Sequence, residues 1–96
     1  MSEKIRGERV FAQCEGIAAR DLEGEGVLFS SKSGSALFLN RTAFAVWNLC
    51  DGRRSTDSIA AELAVRFHDA PKSLAERIED CVERLRDADI VREVQL

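Results

Sequence analysis

Between Leu37 and Arg54 the chain reads LFLNRTAFAVWNLCDGRR, and no other stretch limits the fold as tightly. Leu37, Phe38 and Leu39 read as a strand that stops at Asn40. A short apolar helix follows with Phe44, Val46, Trp47 and Leu49, and Asp51-Gly52 ends it. The only tryptophan of the chain lies in this helix among small residues that permit close packing. A strand that hands directly to a buried helix obliges sheet and helices to share one core. Little in the stretch resembles catalytic chemistry, so a binding module is expected.

The strand has partners upstream. Ile17–Leu22 (IAARDL) reads as a first strand with imperfect alternation, and Glu23-Gly24-Glu25-Gly26 as a turn in which glycine supplies positive φ cheaply. Val27-Leu28-Phe29 forms a second strand. Ser31 to Ser35 is a polar loop of hairpin length, and Ala36 to Leu39 is the return strand. The last two strands are apolar on consecutive positions. Successive strand side chains point to opposite faces, so both sides of this antiparallel meander need cover. One side packs on helices; the other calls for Val10 and Phe11, a second subunit or a ligand.

Downstream, Asn40 suits a helix N-cap and the helix runs from Arg41 to about Cys50. Gly52 sits where a left-handed residue is wanted after a helix. Ser55 caps a second helix with Ile59, Ala60, Leu63, Ala64 and Phe67 on one face, ending near His68. Asp69-Ala70-Pro71 opens a third, with proline near the first helical position. Its stripe is Leu74, Ile78, Cys81, Val82 and Leu85. Its other side is charged, and the carboxylates at 76, 79, 80 and 83 read as a solvated face. Asp89 breaks this helix, and Ile90, Val91 and Val94 form a terminal tail. The expected class is α+β: a small winged-helix-like domain, a three-stranded antiparallel sheet followed by three helices (βββααα). Residues 1–9 are expected to be a flexible segment and 10–96 one domain, since 96 residues leave no room for a second core.

Composition narrows the function. Residues 1–50 carry six basic and six acidic side chains, and residues 51–96 carry eight and eleven. Affinity for nucleic acid comes mostly from neutralising phosphates, so an acidic C-terminal half argues against a DNA-reading domain. No apolar run approaches the roughly 18 residues that span a bilayer, and MSEKIRGERV lacks the apolar core of a secretory signal. The chain reads as cytoplasmic, and Cys14, Cys50 and Cys81 as reduced structural thiols. With one histidine, His68, and scattered cysteines there is no convergent zinc set and no supported nucleophile pair. The glycines form no phosphate-binding fingerprint. Neither a cofactor, a metal nor enzymatic activity is expected.

One pattern gathers these pieces. Val27-Leu28-Phe29, Leu39-Asn40, Ala43, Val46-Trp47, Leu49, Asp51-Gly52-Arg53-Arg54-Ser55, Ile59 and Leu63, closing with Leu85 and Asp89-Ile90-Val91, together resemble the PqqD-like family over residues 17–92. Asp89 stands where the family usually has glycine, and Ser58 where glutamate is common. The resemblance implies a non-catalytic peptide chaperone, a precursor recognition element for ribosomally made, modified peptides. It would bind the leader of a precursor and present it to a modifying enzyme, often a radical-SAM protein, as in pyrroloquinoline quinone biosynthesis. In the family the leader lies as an added strand along the third strand and over the third helix. Here that strand is Ser35, Ala36, Leu37, Phe38, Leu39 and Asn40. The floor is Ile78, Cys81, Val82 and Leu85, and Arg77, Arg84 and Asp80 form the rim. An unpaired sheet edge is physically suited to such an addition.

Two other readings stand beside it. One is a winged-helix DNA-binding regulator, motivated by the helical trio and Arg53-Arg54, although the third helix carries more acid than base. The other is an adaptor that self-associates as a homodimer through the same strand edge.

Overall fold

The computed structural model describes residues 8–67 and 73–94. The expected end of the second helix at His68 and the opening of the third at Asp69 to Pro71 lie outside the described residues. Nine elements follow in order: β1 (Val10–Gln13), β2 (Ile17–Leu22), β3 (Glu25–Ser30), β4 (Ala36–Leu39), α1 (Arg41–Leu49), β5 (Asp51–Ser55), α2 (Thr56–Arg66), α3 (Leu74–Asp87) and β6 (Val91–Glu93). The class is α+β, and the expected meander is present as β2-β3-β4. A second antiparallel sheet, β5-β1-β6, joins it. Asp51 to Ser55, read as a helix stop and the cap of a second helix, and the terminal tail supply its two outer strands.

Local chemistry explains the meander. Glu23 and Gly24 have φ of 58° and 99°, the positive pair demanded by a two-residue hairpin whose twist matches its strands. The Asp21 carboxylate accepts a hydrogen bond from the Gly24 amide at 2.7 Å. The turn therefore ends before Glu25, and Gly26 belongs to β3, where it is buried. A Cβ at Gly26 would run into the Phe44 ring, so this glycine permits α1 to seat on the sheet.

Helix ends follow the caps legible in the sequence. The Asn40 side chain accepts from the Ala43 amide and the Ser55 side chain from the Ser58 amide. At the far end of α3, Asp89 takes φ 59°. The Asp89 amide bonds the Arg86 carbonyl, and the Ile90 amide reaches back to Leu85. This is the pairing of a Schellman terminus, with aspartate in the position glycine usually holds.

One core collects Phe11, Leu28, Phe44, Val46, Trp47, Ile59, Leu63, Ile78, Val82 and Val91. Phe44 and Trp47 stack with ring centroids 6.1 Å apart, and the Trp47 indole N–H donates to the Ile90 carbonyl. Val10 and Phe11 do not cover the open side of the meander. They lie in the second sheet, buried, and Phe29 and Phe38 on the meander's outer face stay about half exposed. Glu79 is also not on a solvated face. It is buried, bonded to the Arg9 guanidinium at 2.6 Å, and it accepts from the Thr56 hydroxyl. Burial alone would depress the Arg9 pKa, but the hydrogen bond and charge of Glu79 reverse that and raise it. Residues 1–7 lie outside the described residues; Arg9 is fixed by this pair and by the hydrogen bond its carbonyl accepts from Thr56.

Candidate functional site

The site begins with a sheet edge. Among the described residues β4 pairs only with β3, through Gly26–Leu39, Val27–Phe38, Leu28–Leu37 and Phe29–Ala36. The Ser30 amide donates to the Ser35 carbonyl at 3.0 Å, which fixes the phase of the ladder. Hydrogen-bonded pairs alternate with non-bonded ones in antiparallel sheets. Leu37 and Leu39 therefore bond to β3, while the N–H and C=O groups of Ala36 and Phe38 point away from it, toward open space.

This edge differs from the other three. The outer strand β2 carries Arg20 and Asp21, β5 carries Asp51, Arg53 and Arg54, and β6 carries Arg92 and Glu93. Charge on an edge discourages pairing with a further strand. β4, with the sequence ALFL, carries none.

Alongside β4 runs an open groove of about 600 Å³. Leu37, Phe38, Leu39 and Asn40 form one wall, and Thr42 and Ala43 from the first turn of α1 close one end. The opposite wall is α3, with Arg77, Asp80, Cys81, Arg84, Leu85 and Ala88. From Arg77 to the C-cap Ala88 this wall advances eleven positions, roughly 16 Å at 1.5 Å per residue. An extended segment of five residues spans about the same distance.

Of the residues expected here, Leu37, Phe38, Leu39, Asn40, Arg77, Cys81 and Leu85 are brought together on the groove. Ser35 and Ala36 precede it on the same edge. Ile78 and Val82 do not line it: they are 1% and 0% exposed and face the core. At helical spacing they share the buried face with Leu74 and Leu85, and Cys81 sits at that face's margin. Thr42 and Ala88, which were not singled out, and Ala43, named only in the family pattern, also line the groove. Beyond that, their small size is the only signal they gave, and it does not distinguish a groove from a tight helix contact.

On the α3 wall Cys81 and Asp80 lie between Arg77 and Arg84, and the wall runs on past Arg84 to the apolar Leu85 and Ala88. Burial pushes the Cys81 thiol up to about 11, against a partial lowering by Arg84. Burial, with Cys81 and Asp51 adding to it, raises Cys50 to about 12. Both are protonated at neutral pH and behave as small apolar groups rather than nucleophiles. Among the described residues no group of histidine, cysteine and carboxylate side chains could hold a metal ion. No described helix is long and apolar enough to cross a membrane.

Comparison with known proteins places this geometry. The family described as Coenzyme PQQ synthesis protein D (PqqD) matches residues 25–91. The chain belongs to the PqqD family. Its fold is that of TbiB1 solved in complex with the TbiA(beta) leader peptide, with a TM-score of 0.73, 12% identity and coverage of 84% of this chain and 94% of that one. The PqqD truncation of Methylobacterium extorquens PqqCD, described as a functional, stand-alone recognition element, gives a TM-score of 0.72 at 24% identity, covering 90% and 92%. The heterocyclase TruD contains a similar unit: TM-score 0.65, 15% identity, 90% of this chain and 12% of that one. At these identities the likeness is one of fold. No curated protein matches the sequence.

Proposed function

We propose that this PqqD-family chain is a non-catalytic recognition domain for the leader segment of a ribosomally made precursor peptide. The leader adds a strand to β4, bonding to Ala36 and Phe38, and lays alternate side chains into the groove against Cys81 and Leu85. The domain then presents the precursor to a modifying enzyme such as a radical-SAM protein. The observation that carries this reading is the uncharged β4 edge, with its backbone groups directed outward beside an open groove of matching length. The TbiB1 structure, which holds a leader peptide on the same fold, supports it. Backbone pairing is nearly blind to sequence, so selectivity rests on the groove, where a buried side chain of leucine size contributes roughly 1.5–3 kcal/mol before ordering costs.

The same edge fits a second copy of the chain, so self-pairing and leader binding compete. A DNA-reading role has no comparable support. The described part of α3 carries Arg77, Arg84 and Arg86 against Glu76, Glu79, Asp80, Glu83 and Asp87, a poor surface for phosphates.

The test is a titration of isotope-labelled full chain with a precursor peptide encoded beside its gene. Amide shifts are expected at Ala36 and Phe38 and along Arg77–Ala88. Saturable binding whose shifts avoid both segments would remove the proposal.

A further inference from the structure

Arg77 and Arg84 stand on the same wall of the groove, seven positions apart, with Cys81 between them. Seven residues correspond to about 10 Å along the helix. Arg9, Arg54, Arg66 and Arg86 each hold a carboxylate within the fold. Neither Arg77 nor Arg84 has an ion-pair partner among the described residues, and Asp80 on the same wall is already engaged. An acidic chain, at net charge −3, thus presents at this groove two arginines that hold no carboxylate among the described residues.

The ladder phase determines what they meet. A strand added to β4 turns every second side chain toward α3, at positions i, i+2 and i+4, with i to i+4 spanning about 13 Å. The middle one falls over Cys81, a small apolar surface beside Asp80, and Leu85 continues that surface one position past Arg84. The outer two fall beside Arg77 and Arg84, within reach of those long side chains, where a carboxylate gains a partner. Arg77 and Arg84 flank Cys81 at four and three positions, so the spacing of the two cations suits a guest strand of either direction.

Building on the strand-addition reading, we propose that the groove selects an acidic class of peptide, with the pattern acid–x–apolar–x–acid across five extended residues. Arg77 and Arg84 set its register, and the apolar centre supplies most of the affinity. Rim charges act chiefly on specificity and on association rate.

Fluorescence anisotropy on the full chain tests this with three labelled peptides: GSDTLTESG, its amide isostere GSNTLTQSG and the cationic GSKTLTKSG. The acidic peptide is expected to bind about fivefold more tightly than the isostere, as two exposed ion pairs allow. That margin should shrink as salt rises. In the double variant R77E/R84E the order should invert, with the cationic peptide preferred. Equal binding of acidic and isosteric peptides, an unchanged order in R77E/R84E, or no binding by any of the three would overturn the charge pattern. Ala36→Pro and Phe38→Pro, each checked by thermal melting, separate this from the underlying reading. Both remove an outward N–H and spare the bonds to β3. Peptides that bind equally but are lost in these variants refute the acidic selection and leave strand addition standing. Binding indifferent to both prolines refutes strand addition itself.

Discussion

The two sheets of this small domain are built on opposite plans. The meander β2-β3-β4 comes from adjacent segments joined by tight turns, and all but one residue of β2 and of β4 is exposed. The sheet β5-β1-β6 gathers segments from the two ends and the middle of the chain. At its centre lie Val10 and Phe11, 6% and 0% exposed. The Val94 amide bonds the Val10 carbonyl, the Cys14 amide bonds Ile90, and Gln13 bonds both Cys50 and Trp47. One sheet closes the fold. The other is held from one side by Leu28, Leu39 and the Gly26–Phe44 contact, and it keeps an uncharged border available for a partner.

The sharpest way to break that comparison is to truncate one phenylalanine in each sheet. Phe11→Ala removes a ring from the centre of the closing sheet and should destabilise the domain by about 3–5 kcal/mol in urea denaturation. Phe38→Ala, from a ring 57% exposed, should change stability by no more than about 0.5 kcal/mol while weakening peptide binding. If both variants lost stability equally, the meander would be part of the closing structure and the division of labour would be wrong.

Gly26→Ala asks how firmly the open sheet is anchored. The added methyl meets the Phe44 ring, and Phe44 stacks on Trp47, so the ring has little freedom to retreat. An overpacking cost of about 1–3 kcal/mol is expected, read from the same denaturation curves. A double variant with Phe44→Leu should recover part of it, because a smaller side chain leaves room for the methyl. No recovery would mean that backbone strain in β3, rather than this contact, is responsible.

The same contrast explains what could be read from the sequence. The meander was legible because its signals are local: Glu23-Gly24 at one turn, Ser31 to Ser35 at the next, Asn40 and Ser55 at the helix starts. The closing sheet was not. Its strand DGRRS is polar throughout and shows no alternation, and Gly52, expected to end the helix, takes its positive φ of 82° inside the strand, past the Cys50 C-cap. Its partner β1 lies about forty residues upstream, β1 pairs on its other side with β6 near the far end of the described chain, and pairing at such range leaves no mark on a short segment. Glu79 failed for the same reason: its cation, Arg9, is remote, so a buried carboxylate read as a solvated one. At the groove, the apolar pattern marked the strand ALFL, and the resemblance to the PqqD-like family, rather than any local signal, set that strand beside Cys81 and Leu85. Ile78 and Val82 were misassigned to its floor because one helical stripe feeds both the core and the groove's margin. Which residue falls on which side depends on the seating of α3, which a single helix does not specify.

The smallest effect concerns the joint between the two regions. α3 walls the groove, and its Schellman terminus turns the chain into β6 at the edge of the closing sheet. Asp89 holds φ 59° there, a conformation that costs a residue with a Cβ roughly 1–2 kcal/mol, less for aspartate than for most. Asp89→Gly removes that cost but gives the unfolded chain more freedom. The net expectation is a stabilisation of about 0.5–1 kcal/mol, measured as a shift in urea midpoint at unchanged slope. Because the change relaxes the turn without moving α3, peptide affinity should stay as it was. A gain in stability accompanied by weaker binding would show that the turn's strain sets the groove's width, and that the two sheets are coupled through α3 rather than separate in their roles.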